Sequence, residues 1–311
     1  MMCCADILQK IKTATIQLST MIKGISLSIL ASVLFGSMYY YTTLLEPLSG
    51  EEIFGWRMVL TLPVMSVFLL ATRDWSLVGN IAKRLKKDWK LWIALPVSSL
   101  LLGIQLWLFL WAPLHDHALN VSLGYFMMPL VMVLIGRFYY RDQLSIWQKI
   151  AVGLAFVGVI HAVFQAGGIA WTSLLVCLGY PYYFVLRTQF KTDNLGGLWF
   201  DMLLMLPLAL YFAGSGAAFD EMAGSNNRLS LLILLLGVMS ASALVAYILS
   251  SRMLPFSLFG LLGYVEPVLL VIVAFLLGEH ITPQEWPTYI AIWLALGMLV
   301  LEGLGKFRSS R

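Results

Sequence analysis

Hydrophobic positions in this chain gather into long runs separated by short polar stretches. Ten runs can be drawn, roughly 22–45, 51–71, 91–112, 115–138, 146–165, 169–190, 194–214, 230–252, 256–279 and 284–303. Each is close to the ~20 residues that a helix needs to cross the hydrocarbon of a bilayer. The connections are short except 72–90 and 215–229, which leaves no room for a soluble domain. The pattern predicts an all-α membrane protein of ten transmembrane helices, with residues 1–21 as a lead-in and 304–311 as a tail.

Ten runs divide as five and five, and the halves echo one another. Asn120–Asp142 and Leu258–His280 each hold a Gly-Tyr pair, then a proline, then a charge near the end. Offset by 138 positions, Pro129 falls on Pro267, Arg141 on Glu279 and Phe126 on Tyr264. The stretch Phe35-Gly36-Ser37-Met38-Tyr39-Tyr40 in the first run matches Leu178-Gly179-Tyr180-Pro181-Tyr182-Tyr183 in the sixth. Arg57 to Pro63 in the second matches Asp201 to Pro207 in the seventh. An odd number of spans per half forces opposite orientations, so 22–165 and 169–303 read as two inverted five-helix repeats. Such repeats are a transporter architecture with the substrate held near the midplane between halves, and Pro129 and Pro267 are the expected helix breaks.

Composition agrees: 60% of the 311 residues are hydrophobic and 12% charged, with mean hydropathy +0.86, where a soluble domain carries about 25% charge. The net charge of +4 matters less than its placement. Eighteen of 20 basic residues fall on one side of the ten-span arrangement, and only Arg57 and Arg228 do not. Positive-inside bias therefore places both termini in the cytoplasm. Three cysteines, Cys3, Cys4 and Cys177, imply no disulfide framework. No basic stripe for nucleic acid and no ATP-binding motif is present.

Polar groups within the runs are the candidate chemistry, since a charge at mid-bilayer costs about 2.5–3.5 kcal/mol on insertion scales and must face protein or water. Arg57 lies ~9 Å below the outer edge and Asp201 ~10 Å above the inner edge at 1.5 Å per residue. The functional reading makes them a pair bordering one cavity; the competing one makes them a lock between spans. Glu266, beside Pro267, is a carboxylate at a weakened helix and could bind a substrate amine or carry a proton. His161 reads as an interfacial or packed residue. His115-Asp116-His117 invites a metal, but residues one and two apart share no helix face, so a helix cap at Asp116 or a role for both histidines at the cavity mouth fits better. Tyr39, Tyr125, Tyr182 and Tyr264 offer flat faces with a hydroxyl for an amphiphilic ligand, against the plainer reading of packing.

Trp111-Ala112-Pro113-Leu114-His115-Asp116-His117-Ala118-Leu119-Asn120-Val121-Ser122-Leu123-Gly124-Tyr125-Phe126 resembles the third-to-fourth-span signature of the RarD-like branch of the EamA transporters, in the drug/metabolite transporter superfamily. That branch has W-A-x-N-x-x-H-V-x-E-x-S-L-G-Y-F-x-x-P. The likeness takes in Arg57, Leu254-Pro255-Phe256-Ser257 and Gly278-Glu279, in order along nearly the whole chain. Leu114 stands for the usual Asn, Asn120 for the usual Glu, Tyr140-Arg141 for a Gly-Glu, and Asp201 for a longer acid. The resemblance implies an inner-membrane permease for a small metabolite or drug, commonly outward; the altered positions, which include Asn120, lie where the family's cavity is expected.

The expected partners are the lipid bilayer and a small-molecule substrate, with proton coupling and a homodimer left open, no nucleic acid, no metal and no cofactor. Gradient-driven export by alternating access is the leading reading. Uptake or exchange of amino-acid-like solutes is the alternative, and an intramembrane enzyme built on His115, Asp116 and His117 is the remote one.

Overall fold

The computed structural model describes residues 2–114, 118–215, 227–276 and 282–309. Every regular element among them is helical: α1 (Met2–Thr42), α2 (Gly50–Ala71), α3 (Ser76–Leu85), α4 (Leu91–Leu114), α5 (Ala118–Phe138), α6 (Ile146–Gln165), α7 (Trp171–Gln189), α8 (Leu195–Gly214), α9 (Asn227–Met253), α10 (Phe256–Leu262), α11 (Val265–Leu276) and α12 (Trp286–Ser309). Local sequence sets several starts. Ser49 with Glu52, and Ser145 with Gln148, form reciprocal capping boxes at α2 and α6, and Asn194 caps α8 through Gly197 N–H.

Among the described residues, seven helices are long and apolar enough to cross a membrane, and large side chains such as Leu100, Phe156, Leu208 and Leu294 are more than half exposed on their outer faces. Of the ten expected spans, three fall short of that measure. Helix α7 is diluted by Tyr180, Tyr182, Tyr183, Arg187 and Gln189, and α12 is apolar over the 17 residues Trp286–Glu302 among those described. The third, expected as one span over 256–279, is divided into α10 and α11 by a turn at Gly263-Tyr264.

That turn also corrects the two proline breaks. Pro129 sits within an uninterrupted α5. Pro267 lies in the first turn of α11, where a missing N–H costs nothing because no intrahelical acceptor exists there. The break falls just before it, where Gly263 N–H and Tyr264 N–H bond to Gly260 O and Leu261 O in tightened turns. A Cβ on Gly263 would lie 2.8 Å from Gly260 O, so the turn needs glycine.

The stretch 72–90 is more than a loop. Ser76–Leu85 is an amphipathic helix that buries Val78 and Ile81, while Arg84 donates to Phe190 O and Lys191 O beyond the end of α7. A cation there satisfies carbonyls that the helix end leaves free.

Helix α1 packs on α9 and α11, α2 on α8 and α9, α4 on α7 and α8, α5 on α7 and α10, and α6 on α12. The main apolar core joins Met58, Met65, Leu102, Met202, Leu244 and Phe259. Helices α2 and α8 meet main chain to main chain, since a Cβ on Gly55 would lie 2.4 Å from Ala213 N.

Candidate functional site

Helices from both ends of the chain converge on one small cavity. Helix α1 contributes Phe35 and Met38, α2 Arg57, α4 Leu106 and Phe109, α5 Tyr125 and Met128, α7 Tyr180, α9 Leu244 and Tyr247, and α11 Glu266. Its space for water-sized atoms is about 40 Å³, room for a few waters. Its walls are aromatic: Phe109 meets Tyr125 at 6.0 Å between ring centres, Tyr125 meets Tyr180 at 6.4 Å, Tyr180 meets Tyr247 at 6.4 Å, and Phe35 meets Tyr247 edge-on at 6.0 Å.

Two charges of opposite sign face this space. Arg57 is 5% exposed. Its Nε–H donates to Ser240 Oγ at 3.0 Å, and its guanidinium carbon lies 5.8 Å from the Phe35 ring centre. Thr61 Oγ–H braces the same spot, 2.7 Å from Arg57 O and 2.9 Å from Ser240 Oγ. Arg57 Nη2 finds no protein partner, and a buried donor left so costs about 1–3 kcal/mol, more when charged. Glu266 is half-buried in the first turn of α11, where the positive end of the helix dipole favours an anion. The turn at Gly263-Tyr264 is what brings a helix N-terminus, and with it Glu266, to the cavity.

Asp201 does not share this cavity, which corrects the expected pairing with Arg57. It is fully buried and ion-paired to Arg187, with Nη1 2.9 Å from Oδ2. Ser98 Oγ–H donates to Oδ1 at 2.6 Å and Tyr183 O–H to Oδ2 at 2.9 Å. Arg187 Nη1 also donates to Tyr183 Oη, and its remaining donors reach the carbonyls of Thr192 and Asn194. The ion pair and the bonds around it form one network. It joins α4, α7 and α8 as a lock, because Tyr183 and Arg187, four apart, share a helix face.

The tyrosines divide by helix face. Tyr125 lines the cavity, but Tyr182 is 59% exposed on the outer side of α7. Tyr180, two residues earlier, points inward with Phe184 and Arg187, at the three- and four-residue spacing of one face. Tyr264 is wholly buried and spends its hydroxyl on Phe126 O at 3.0 Å, away from the cavity. Asn120 is half-buried at the start of α5, its carbonyl accepting from Ser173 Oγ at 2.6 Å. His161 bonds Thr288 Oγ at 3.0 Å. His115, Asp116, His117 and the Tyr39 side chain lie outside the described residues. Among those described, no three His, Cys, Asp or Glu groups gather as a metal would need. Tyr180, Tyr247 and Ser240 are the residues that sequence reasoning missed. Helix facing singles out Tyr180; nothing in the sequence marks Ser240 within an apolar run.

Residues 22–164 match the EamA-like transporter family. The chain is similar to the chloramphenicol-sensitive protein RarD of Pseudomonas aeruginosa, 43% identical over 88% of this chain and 92% of that one. It is similar to an uncharacterized transporter of Pasteurella multocida, 40% identical over 93% and 99%. Protein RarD of Streptomyces exfoliatus is 30% identical over 89% and 88%. A solved crystal structure, 16% identical, shares the fold at a TM-score of 0.63 over 89% of this chain and 96% of that chain.

Proposed function

The chain belongs to the EamA-like transporter family, and we propose that it is a ten-helix permease of two inverted repeats that exports a small amphiphilic metabolite or drug by alternating access. The observation that carries this is the central cavity, where helices from both halves hold Arg57 and Glu266 among aromatic rings, neither in an ion pair within 4 Å among the described residues. Pairing α1, α2, α4, α5 and α6 in turn with α7, α8, α9, α10–α11 and α12 supports the repeat. Under that exchange the contact of α1 with α9 becomes that of α7 with α4. Likewise α2 with α9 becomes α8 with α4, and α1 with α11 becomes α7 with α5. The pairs α2–α8, α5–α10 and α6–α12 map onto themselves, and Tyr264 bonds the residue 138 positions before it, the offset of the repeat.

At about 40 Å³ the cavity is pinched, so a ligand enters only as the halves move apart, which alternating access requires. With both termini cytoplasmic, a cysteine probe placed at Ser225 is labelled from outside and one at Lys86 is not. Opposite charges in one cavity also favour the second reading, a carrier for amino-acid-like solutes. Counterflow in proteoliposomes tests transport itself: a preloaded solute drives uptake of its labelled copy through wild type and not through empty vesicles. Absence of counterflow across a panel of amphiphilic metabolites and antibiotics would count against the proposal.

A further inference from the structure

We propose that the ligand of this cavity is an aromatic monocarboxylate whose acid group docks on Arg57, a step that rests on the transport reading above. The ground is a comparison internal to the chain. Arg57 on α2 and Asp201 on α8 stand 144 positions apart, at matching places in the two halves. Each bonds a serine on the helix it faces, Ser240 and Ser98, themselves 142 positions apart. The two sites are therefore built alike up to that point.

They then diverge. The Asp201 charge is answered from within the protein by Arg187 at 2.9 Å. The Arg57 charge has no carboxylate within 4 Å among the described residues, and its Nη2 is buried without a protein partner while the residue lines the cavity. What the protein supplies at one site it leaves for a ligand at the other. A guanidinium offers a planar fork of donors, and the group that matches it in shape and charge is a carboxylate or a phosphate. Glu266 in the same cavity sets the choice between them, because a second negative charge would meet its carboxylate. One acid group on an aromatic body suits Arg57 at one end and the rings of Tyr125, Tyr180 and Tyr247 along its length.

The test compares 3-phenylpropionate with 3-phenylpropanamide, equal in shape and different in charge, for binding to the purified protein in lipid nanodiscs. Wild type is expected to bind the carboxylate about tenfold or more tightly, the scale of a charge-assisted pair over a neutral one. Arg57→Gln should erase the preference at an unchanged melting temperature, and Arg57→Lys should keep part of it. Equal binding of the two probes by wild type, or binding of neither, overturns the proposal however the variants behave. So does a folded Arg57→Gln that keeps the preference. Should Arg57→Gln fail to fold, wild type and Arg57→Lys decide. Counterflow of labelled 3-phenylpropionate separates this from the transport reading. Selective binding without counterflow sinks the transport reading and keeps the anion site; counterflow of other solutes with no preference for the acid does the reverse.

Discussion

The Arg57 and Asp201 sites present the same problem, a charge buried in an apolar helix against a serine from another helix, with two outcomes. At Asp201 every oxygen has a donor and the counter-charge sits at 2.9 Å. At Arg57 one nitrogen is bonded, a ring lies near, and Nη2 is left without a protein partner on a residue that lines the cavity. A closed network holds helices in one arrangement; an open one is free to meet something else. Burial of a charge in this membrane protein therefore marks function only once its partners are counted.

The sharpest way to break that contrast is to remove one partner of the closed pair. Asp201→Ala strands Arg187 without its counter-charge, and should cost about 3–5 kcal/mol. Folded protein should be lost, visible as a collapsed monodisperse peak after extraction. The double variant Arg187→Met with Asp201→Leu should recover much of it. A second, smaller loss is expected from Ser98→Ala, which takes a hydrogen bond from a charged group and should cost about 1.5–3 kcal/mol, read as a lowered melting temperature. Arg57→Met should cost little or even stabilise, since it removes an unsatisfied buried donor, while abolishing transport. A loss as large as that of Asp201→Ala would make the two sites equivalent and end the comparison. Glu266→Gln should leave the melting temperature nearly untouched. Its expected effect is functional: substrate exchange persists and accumulation driven by a proton gradient is lost, measured side by side in proteoliposomes.

Much of this was legible in the chain because a bilayer makes simple demands. Long apolar runs had to be helices, and Arg57 and Glu266 stood out within them as charges that needed a protein or water surface. Asp201 stood out equally and was misplaced, because its partner Arg187 sits near a helix end and was counted with the cytoplasmic charges. The tyrosines show the other limit. Tyr180 and Tyr182 are alike in composition and differ only in helix face, which a short list of residues does not encode. The break before Glu266 looked like the work of Pro267, yet Gly263, able to pass close to Gly260 O, makes the turn.

The contact at Gly55 bears on how well each end of the cavity is located. At that point main chain meets main chain, with Phe54 of α2 packed edge-on against Phe212 of α8 beside it at 6.0 Å, and Arg57 follows two residues later. Its height is thus surveyed from the main chain of the opposite helix. Glu266 is mounted differently, in the first turn of a helix set behind the turn at Gly263-Tyr264. One charge of the cavity is thus referenced to the main chain of a neighbouring helix and the other to a turn within its own segment, two different mountings for the two ends of one space.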